Sequence, residues 1–212
     1  MLERSRGPEI EVTRDGRSWR VGTASDVTWI TYATTIDRTI TAAIPPIFDA
    51  YATFHQLDDE PAPIDVHERT IVEHLANQAG DQPWWLGFLD TGAHDVVFDN
   101  VLKVSLYSDW FYVFVEAGPT QALEWRTGHM RAQYGVLPDL FFPVDRSWLV
   151  SALWDDTWTC VGGPAGLIRD LQHDPLVQAR PARRGRHTAG TRMPVRLFIE
   201  NRETWRAGQY SG

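Results

Sequence analysis

Short apolar runs that alternate with a period of two dominate the middle of the chain. In PWWLGFL (83–89), Trp84, Leu86 and Phe88 alternate with Trp85 and Leu89, and consecutive side chains of a strand face opposite sides of a sheet. Similar runs recur in VLKVSLY, WFYVFVEAG, LPDLFFP, SWLVSALW and TWTCV. After a turn at DTG (90–92), DVVF (95–98) can return beside PWWLGFL. VLKVSLY and WFYVFVEAG form a predicted hairpin about Ser108 and Asp109, and SWLVSALW and TWTCV form a second one about Asp155 and Asp156. Because short connections join antiparallel strands, the pattern predicts a mainly antiparallel sheet of about five to seven strands.

Three segments have the period of a helix instead. IDVHERTIVEHLANQAG places Ile64, Ile71 and Leu75 on one face, with Asp65 as the predicted N-cap and Gly80 as the stop. TQALEWRTGHMRAQY (120–134) and PAGLIRDLQHD (164–174) predict two further helices, whereas the β-branched residues of WITYATTI (29–36) favour a strand. The expected fold class is α+β: one two-layer domain with about three helices on one face of the sheet.

The two ends of the chain differ from the predicted domain at 26–179. Residues 1–25 mix charge, glycine and proline, which is typical of a loosely ordered extension or an edge hairpin. Residues 180–212 are rich in arginine and predict a basic C-terminal tail. Within that tail, VRLFI (195–199) could add a strand or pack back on the domain.

The net charge of -8 conceals a strong division along the chain. Residues 21–179 carry 7 basic and 22 acidic residues, a net charge of -15, whereas residues 180–212 carry eight arginines and two glutamates. An acidic body repels nucleic acid and attracts basic partners. We therefore expect a protein partner with a basic surface, and nucleic-acid contact only weakly through the tail. The alternative is that the acidity only confers solubility.

The single cysteine and the short apolar runs indicate the compartment of the protein. Cys160 is the single cysteine, so no internal disulfide can form, and its apolar and acidic neighbours favour a core thiol. The longest apolar runs fall far below the roughly 20 residues of a membrane span, and no basic-then-apolar leader opens the chain. We expect a cytoplasmic protein with no membrane contact.

The segment LDTGA (89–93) has the form of the catalytic loop of retropepsin-like aspartic proteases. In that reading Asp90 is the catalytic acid of a dimer that shares one proton between two carboxylates, and Thr91 and Gly92 shape its loop. A later CVGGPAGLIRDL segment resembles the second conserved region of that family, but the predicted helices interrupt what should be an almost entirely β fold. Asp-Thr-Gly between apolar strands is also ordinary turn chemistry, which we favour.

The histidines do not have the spacing of a metal site. His67 and His74 lie seven residues apart, which is about 10 Å along a helix, whereas helical zinc ligands are usually four apart. His94 and His129 lack a neighbouring nucleophile in the sequence and are interpreted as surface residues. We expect no metal and no cofactor.

Tryptophan supplies the remaining functional signal, with ten copies in the chain. Trp84 and Trp85 face opposite sides of one strand, so either the sheet is covered on both faces or one aromatic face is free to bind a partner. Aromatic residues beside acidic ones are typical of protein-binding surfaces. The predicted partner-binding residues are Trp84, Trp85, Asp109, Trp110, Glu116, Trp154, Asp155, Asp156 and Trp158.

Long blocks of the sequence resemble a group of uncharacterised actinobacterial proteins. The blocks are PWWLGFLDTG (83–92), FYVFVEAGP (111–119) and DRSWLVSALWDDTWTCVGGP (145–164), in this order. The resemblance covers about residues 26–180 and implies one domain with variable ends, but it implies no activity.

The leading hypothesis is therefore a non-enzymatic protein-binding domain, of the immunity or antitoxin type. The alternatives are a dimeric aspartic peptidase with Asp90 as its acid, and a nucleic-acid contact through the arginine-rich tail.

Overall fold

The computed structural model describes residues 10–31, 43–55, 63–90, 96, 98, 100–107, 110–126, 135–152 and 158–182. These residues confirm the predicted α+β class. The strands are β1 (Glu11–Arg14), β2 (Arg17–Arg20), β3 (Ala50–His55), β4 (Trp84–Leu89), β5 (Val104–Leu106), β6 (Trp110–Ala117), β7 (Leu140–Pro143), β8 (Leu149–Ala152), β9 (Trp158–Gly163) and β10 (Arg180–Ala182). The helices are α1 (Ala24–Thr31), α2 (Ile64–Ala79), α3 (Pro119–Glu124) and α4 (Ala165–His173).

Eight of the strands form one antiparallel sheet, in the order β10-β3-β9-β8-β7-β4-β6-β5. The predicted β5–β6 and β8–β9 hairpins are both present. The expected return of DVVF beside β4 is wrong, because β4 pairs with β6 and β7. Of that segment the structure describes Val96 and Phe98, which are buried outside the strands.

Apolar side chains cover both faces of the sheet. One face packs against α2, α3, α4 and the β1–β2 hairpin, around residues such as Leu75, Trp84 and Leu171. The other face packs against α1 and the segment 43–48, around residues such as Ile30 and Trp85. The two-layer arrangement with helices on one face only is therefore wrong.

Helix α1 replaces part of the strand predicted for 29–36. Asp26 caps the start of the helix, because the Thr23 amide and hydroxyl both donate to Asp26 Oδ2 at 2.8 Å. A threonine followed three residues later by an acid is a helix-start pattern, and it outweighs the β-branched residues Thr28, Ile30 and Thr31. Residues 32–36 lie outside the described ranges.

The other helices follow the amphipathic pattern more closely. Helices α2 and α4 confirm two predicted helices, although Pro63 occupies the N-cap of α2 and Asp65 lies in its first turn. Gly80 ends α2 with a positive φ of 65°, as a C-terminal glycine commonly does. Of the helix predicted for 120–134 the structure shows α3, which begins at Pro119 and ends at Glu124, before the non-helical Trp125 and Arg126; residues 127–134 lie outside the described ranges.

Both ends of the described chain pack on the sheet. Of the two alternatives considered for residues 1–25, residues 11–20 adopt the hairpin, which turns at Asp15 and Gly16. Trp19 of this hairpin packs edge-to-face on Trp125 with ring centroids 5.1 Å apart. At the other end, Arg180–Ala182 form the edge strand β10. The rest of the basic tail, 183–212, lies outside the described residues.

No helix in the described part of the chain combines the length and the apolar character needed to cross a membrane.

Candidate binding surface

The tryptophan doublet of β4 is buried on both sides of the sheet. Trp84 is fully buried and packs edge-to-face on Trp148, with centroids 4.8 Å apart. Trp85 is 3% exposed, and the Arg20 guanidinium lies 4.2 Å from its ring centre. At Gly22 a Cβ atom would come within 2.9 Å of Trp85, so only glycine allows this approach. Trp84 and Trp85 are therefore core residues, which corrects the prediction that they contact a partner.

Besides the turn from α4 to β10 (174–179), five connections begin or end at one end of the large sheet. They are the links from β3 to α2 (56–62), from β4 to β5 (90–103), from β5 to β6 (107–109), from α3 to β7 (125–139) and from β8 to β9 (153–157). We call this the acidic end, because the sequence of these links contains ten acidic and three basic residues, a net charge of -7. Of the ten acids the structure describes Asp90, which pairs with Lys103, and Asp139, which pairs with Arg126.

The opposite end of the same sheet is much less charged. Its connections are 32–49, 80–83, 118, 144–148 and 164, with four acidic and two basic residues. The difference between -7 and -2 arises from topology, because acids that are far apart in the sequence are attached to neighbouring strand ends. A field of this asymmetry orients a basic partner toward the acidic end.

Most of the predicted partner-binding residues belong to these links or flank them. Trp110, the first residue of β6, is partly exposed, and its neighbour Phe111 is 52% exposed. Trp158 is the first residue of β9. Asp109, Trp154, Asp155 and Asp156, as well as Thr91, Gly92, His94 and His129, lie outside the described residues.

Glu116 does not belong to the acidic end. It lies opposite Trp85, toward the other end of the sheet, and its carboxylate accepts a hydrogen bond from Arg20 Nε at 2.5 Å. Arg20 also lies 3.5 Å from Asp26. The charge of Glu116 is compensated within the chain, which corrects its assignment to the partner surface.

Asp90 directly follows β4 at the acidic end. Its amide donates to the Phe111 carbonyl at 2.8 Å, so the sheet ladder continues one residue beyond the strand. Its carboxylate forms an ion pair with Lys103 at the surface. Lys103 thus gives this carboxylate a local structural partner, and the antiparallel sheet with four flanking helices is not the almost entirely β fold of a retropepsin.

Two buried ionic contacts fix the chain where it approaches β7. Arg126, 3% exposed, donates to Asp139 Oδ2 at 2.8 Å and to the Leu137 carbonyl at 2.7 Å. The same Asp139 oxygen accepts the Leu89 amide at 2.8 Å, which joins β4 to the link before β7.

Glu68 forms the second contact from inside the protein. It is 6% exposed on α2, and its carboxylate accepts the amides of Val136 and Leu137. Arg126 and Glu68 were not predicted as site residues, since nothing in their spacing shows which distant segment they contact.

The two histidines of α2 hold the turn that follows α4. His67 Nε2 lies 3.1 Å from the Val177 carbonyl, and His74 Nε2 lies 2.8 Å from Asp174 Oδ2. Partial burial opposes ionisation of Asp174, but hydrogen bonds from His74 and from the Leu176 amide lower its pKa below the ordinary value. Within the described residues no group of three or more potential ligands could hold a metal ion. The histidines therefore have a structural role at this turn.

We expect stability to fall on acidification because of His67. Burial against Phe54 lowers the pKa of His67 below its ordinary 6.5, only partly offset by the Val177 carbonyl. In the unfolded chain His67 therefore binds a proton near pH 6.5, whereas in the folded chain it binds this proton only at lower pH. The free energy of unfolding should fall as pH decreases below 6.5, by at most about 1.4 kcal/mol per pH unit.

Urea unfolding between about pH 4.5 and 6.5 measures this dependence. His67→Phe should remove it, while His173→Gln, at an exposed position of α4, should retain it. The carboxyls with lowered pKa values, Asp26, Asp145 and Asp174, have an ordinary pKa of 3.8, so the unfolded chain protonates them only toward the acidic limit of this window, and the slope between about pH 5.5 and 6.5 isolates His67. An unchanged slope in His67→Phe would refute the assignment.

Cys160 is enclosed in the core, as predicted for a structural thiol. It faces the same side of the sheet as Tyr107, whose hydroxyl donates to the Ala43 carbonyl at 2.7 Å. Burial raises the pKa of Tyr107 well above its ordinary value. Both groups are inaccessible to a substrate.

A surface cavity of about 490 Å³ lies between α4, β3 and β10, away from the acidic end. Its polar lining includes Asp49, Arg169 and Gln172. Tyr51 also lines the cavity, but its hydroxyl accepts the Phe48 amide and donates to the Pro45 carbonyl. The cavity does not overlap the predicted binding residues.

Comparisons with family models, curated proteins and solved structures find no match to this chain.

Proposed function

We propose that the chain is a non-enzymatic protein-binding domain of the immunity or antitoxin type, and that its acidic end binds a basic protein. The observation that carries the proposal is that the strands bordering five links meet at one end of the sheet, while the sequence of these links has a net charge of -7. This asymmetry supports a directed partner more than a uniform solubilising charge, because solubility does not require the acids to be gathered at one end.

The proposed contact residues follow from burial and position. Trp110 and the exposed Phe111 flank the link that contains Asp109, and Trp154, Asp155, Asp156 and Trp158 belong to or border the β8–β9 link. Trp84, Trp85 and Glu116 are left out, because the first two are buried and the third is paired with Arg20. Aromatic residues within a charged rim commonly carry most of the binding free energy of an interface.

The acidic links contribute mainly to the rate of association and to its salt dependence. Because exposed charges are screened over about 10 Å at 0.1 M salt, binding should weaken as ionic strength rises. The proposal includes a cytoplasmic location, which suits a chain with one buried cysteine.

We expect neutralisation of the β8–β9 link to weaken partner binding. Asp155→Asn with Asp156→Asn removes two charges at the acidic end. Asp49→Asn with Asp81→Asn removes two exposed charges at the other end and serves as the matched control. If each lost contact contributes about 0.3–1 kcal/mol, the first variant should bind about 3- to 30-fold more weakly, and the control should bind like the original chain.

The measurement is capture from a native extract with quantitative mass spectrometry, followed by titration of the recovered protein against each variant. Recovery of a stoichiometric basic protein that loses affinity only with the β8–β9 variant supports the proposal. Equal affinities for the two variants, or recovery of no stoichiometric basic protein, would overturn it.

A further inference from the structure

The two edges of the eight-stranded sheet differ in their ability to accept another strand. At β10, Arg180 and Ala182 pair with Thr53 and Tyr51 of β3, and Pro181 lies between them. A proline has no amide hydrogen, and in an edge strand its nitrogen faces outward. The outer side of β10 therefore lacks the donor that a further strand would need.

The edge formed by β5 presents a complete peptide. Because the Asp90 amide donates to the Phe111 carbonyl, the backbone of Phe111 faces β4. Its neighbours in β6, Trp110 and Tyr112, then face β5, where they lie opposite Leu106 and Val104. Ser105, opposite Phe111, therefore directs its N–H and C=O away from the sheet. Among the described residues no strand pairs with this side of β5.

The side chains around β5 define what a further strand would contact. Val104 and Leu106 are buried on one face. Ser105 and Phe111 lie on the other face, both exposed, with Phe111 at 52%. A complementary strand would present aliphatic residues on the first face and, on the second, an aromatic residue beside Ser105 that can reach Phe111 across it.

We propose that the segment VRLFI (195–199) of a second copy of this chain adds to β5 as an edge strand. Its alternation places Val195, Leu197 and Ile199 on the face of Val104 and Leu106. Arg196 and Phe198 then lie on the opposite face, where Phe198 lies beside Ser105 and can reach Phe111 across its small side chain. Reciprocal exchange of the two tails gives a symmetric dimer.

Chain length favours a second copy over the same copy. Seven spacings of about 4.8 Å separate β10 from β5, roughly 34 Å, and Ala182 ends β10 away from the acidic end. Only twelve residues, 183–194, precede VRLFI, and they reach about 40 Å when fully extended. A path across the sheet must also pass over the elements packed on either face, which leaves little of this length in reserve, whereas a neighbouring molecule can place its tail beside β5 directly.

Charge complementarity supports the same pairing. Residues 183–212 carry seven arginines and two glutamates, a net charge of +5, and β5 borders the acidic end with its net charge of -7. The dimer does not rest on the proposed function. It is tested by molecular mass and the proposed function by partner affinity, so either can fail without the other.

The test is light scattering of the full-length chain over a range of concentrations. We expect twice the monomer mass of 24.1 kDa. Ser105→Pro removes the outward N–H, and Leu197→Asp places a charge on the aliphatic face of VRLFI, so each should raise the dimer dissociation constant at least about 10-fold. Ser105→Thr keeps the N–H and Thr204→Asp adds the same charge elsewhere in the tail, so both should remain dimeric.

Hydrogen exchange of the Ser105 amide provides a second measurement, because protection should be lost on dilution to monomer. Circular dichroism of Ser105→Pro checks that the fold is retained. Leu197→Asp changes the tail and leaves the sheet unchanged, so it tests the proposal even if Ser105→Pro does not fold. A monomeric original chain, a dimer that persists in Leu197→Asp, or a dimer that persists in a folded Ser105→Pro would each overturn the proposal.

Discussion

Asp139→Ala is expected to lower the free energy of unfolding by about 3–5 kcal/mol, because it leaves the buried Arg126 guanidinium without its carboxylate. Arg126 is 3% exposed and cannot regain water without opening the core. The substitution also removes the acceptor of the Leu89 amide, which lies at 2.8 Å. Denaturant unfolding measures the loss.

A double-mutant cycle separates the ion pair from the space its atoms fill. Arg126→Met removes the charge and keeps an apolar side chain of similar length beside Phe88, near which the guanidinium now lies. The double variant with Asp139→Ala should be more stable than Asp139→Ala by at least about 1 kcal/mol, since no charge remains buried without a partner. If the effects of the two single substitutions simply add, the pair is not coupled and this account is wrong.

Local patterns predicted the elements whose stability is local. Helix α2 was predicted because Ile71 and Leu75 repeat on one face, and the β5–β6 and β8–β9 hairpins because short connections force antiparallel pairing. Helix α1 was missed because β-branched residues were weighed above the Thr23–Asp26 cap. One cap stabilises a helix by about 1 kcal/mol, which is enough to decide where so short a helix begins.

Features that depend on strand order could not be predicted. The position of β4 between β6 and β7 follows from long-range packing, and the return of DVVF was predicted only because it is the nearest segment in sequence. The burial of Trp84 and Trp85 depended on the same information, because α1 and the segment 43–48 cover the face that was considered free. The alternation itself was read correctly.

The acidic end depends both on local sequence, which supplies the charges, and on strand order, which supplies their position. Charge counts along the chain predicted an acidic body, but no count shows that the links 56–62, 90–103 and 153–157 follow strands that finish at the same end of a sheet. Conversely, Glu116 was grouped with the surface acids because the sequence does not show that Arg20 pairs with it. Topology decides which charges act together, and neighbouring side chains decide which remain uncompensated.

Gly135→Ala is expected to cost about 3–5 kcal/mol of unfolding free energy. Gly135 has a φ of 73°, where an alanine is strained by about 1 kcal/mol. A Cβ atom there would lie 2.0 Å from Glu68 Oε1, so the carboxylate must leave the Val136 and Leu137 amides. A buried amide that loses its acceptor costs about 1–3 kcal/mol.

Gly80→Ala is the matched control for the backbone strain. Gly80 has a φ of 65°, and a Cβ atom there would meet nothing within 4 Å, so this substitution should cost about 1 kcal/mol. In a Glu68→Ala background the cost of Gly135→Ala should fall to that of Gly80→Ala, because the clashing carboxylate is absent. Equal costs for the two glycine substitutions in the original chain would show that Glu68 does not hold the link before β7, and that the acidic end lacks this support from α2.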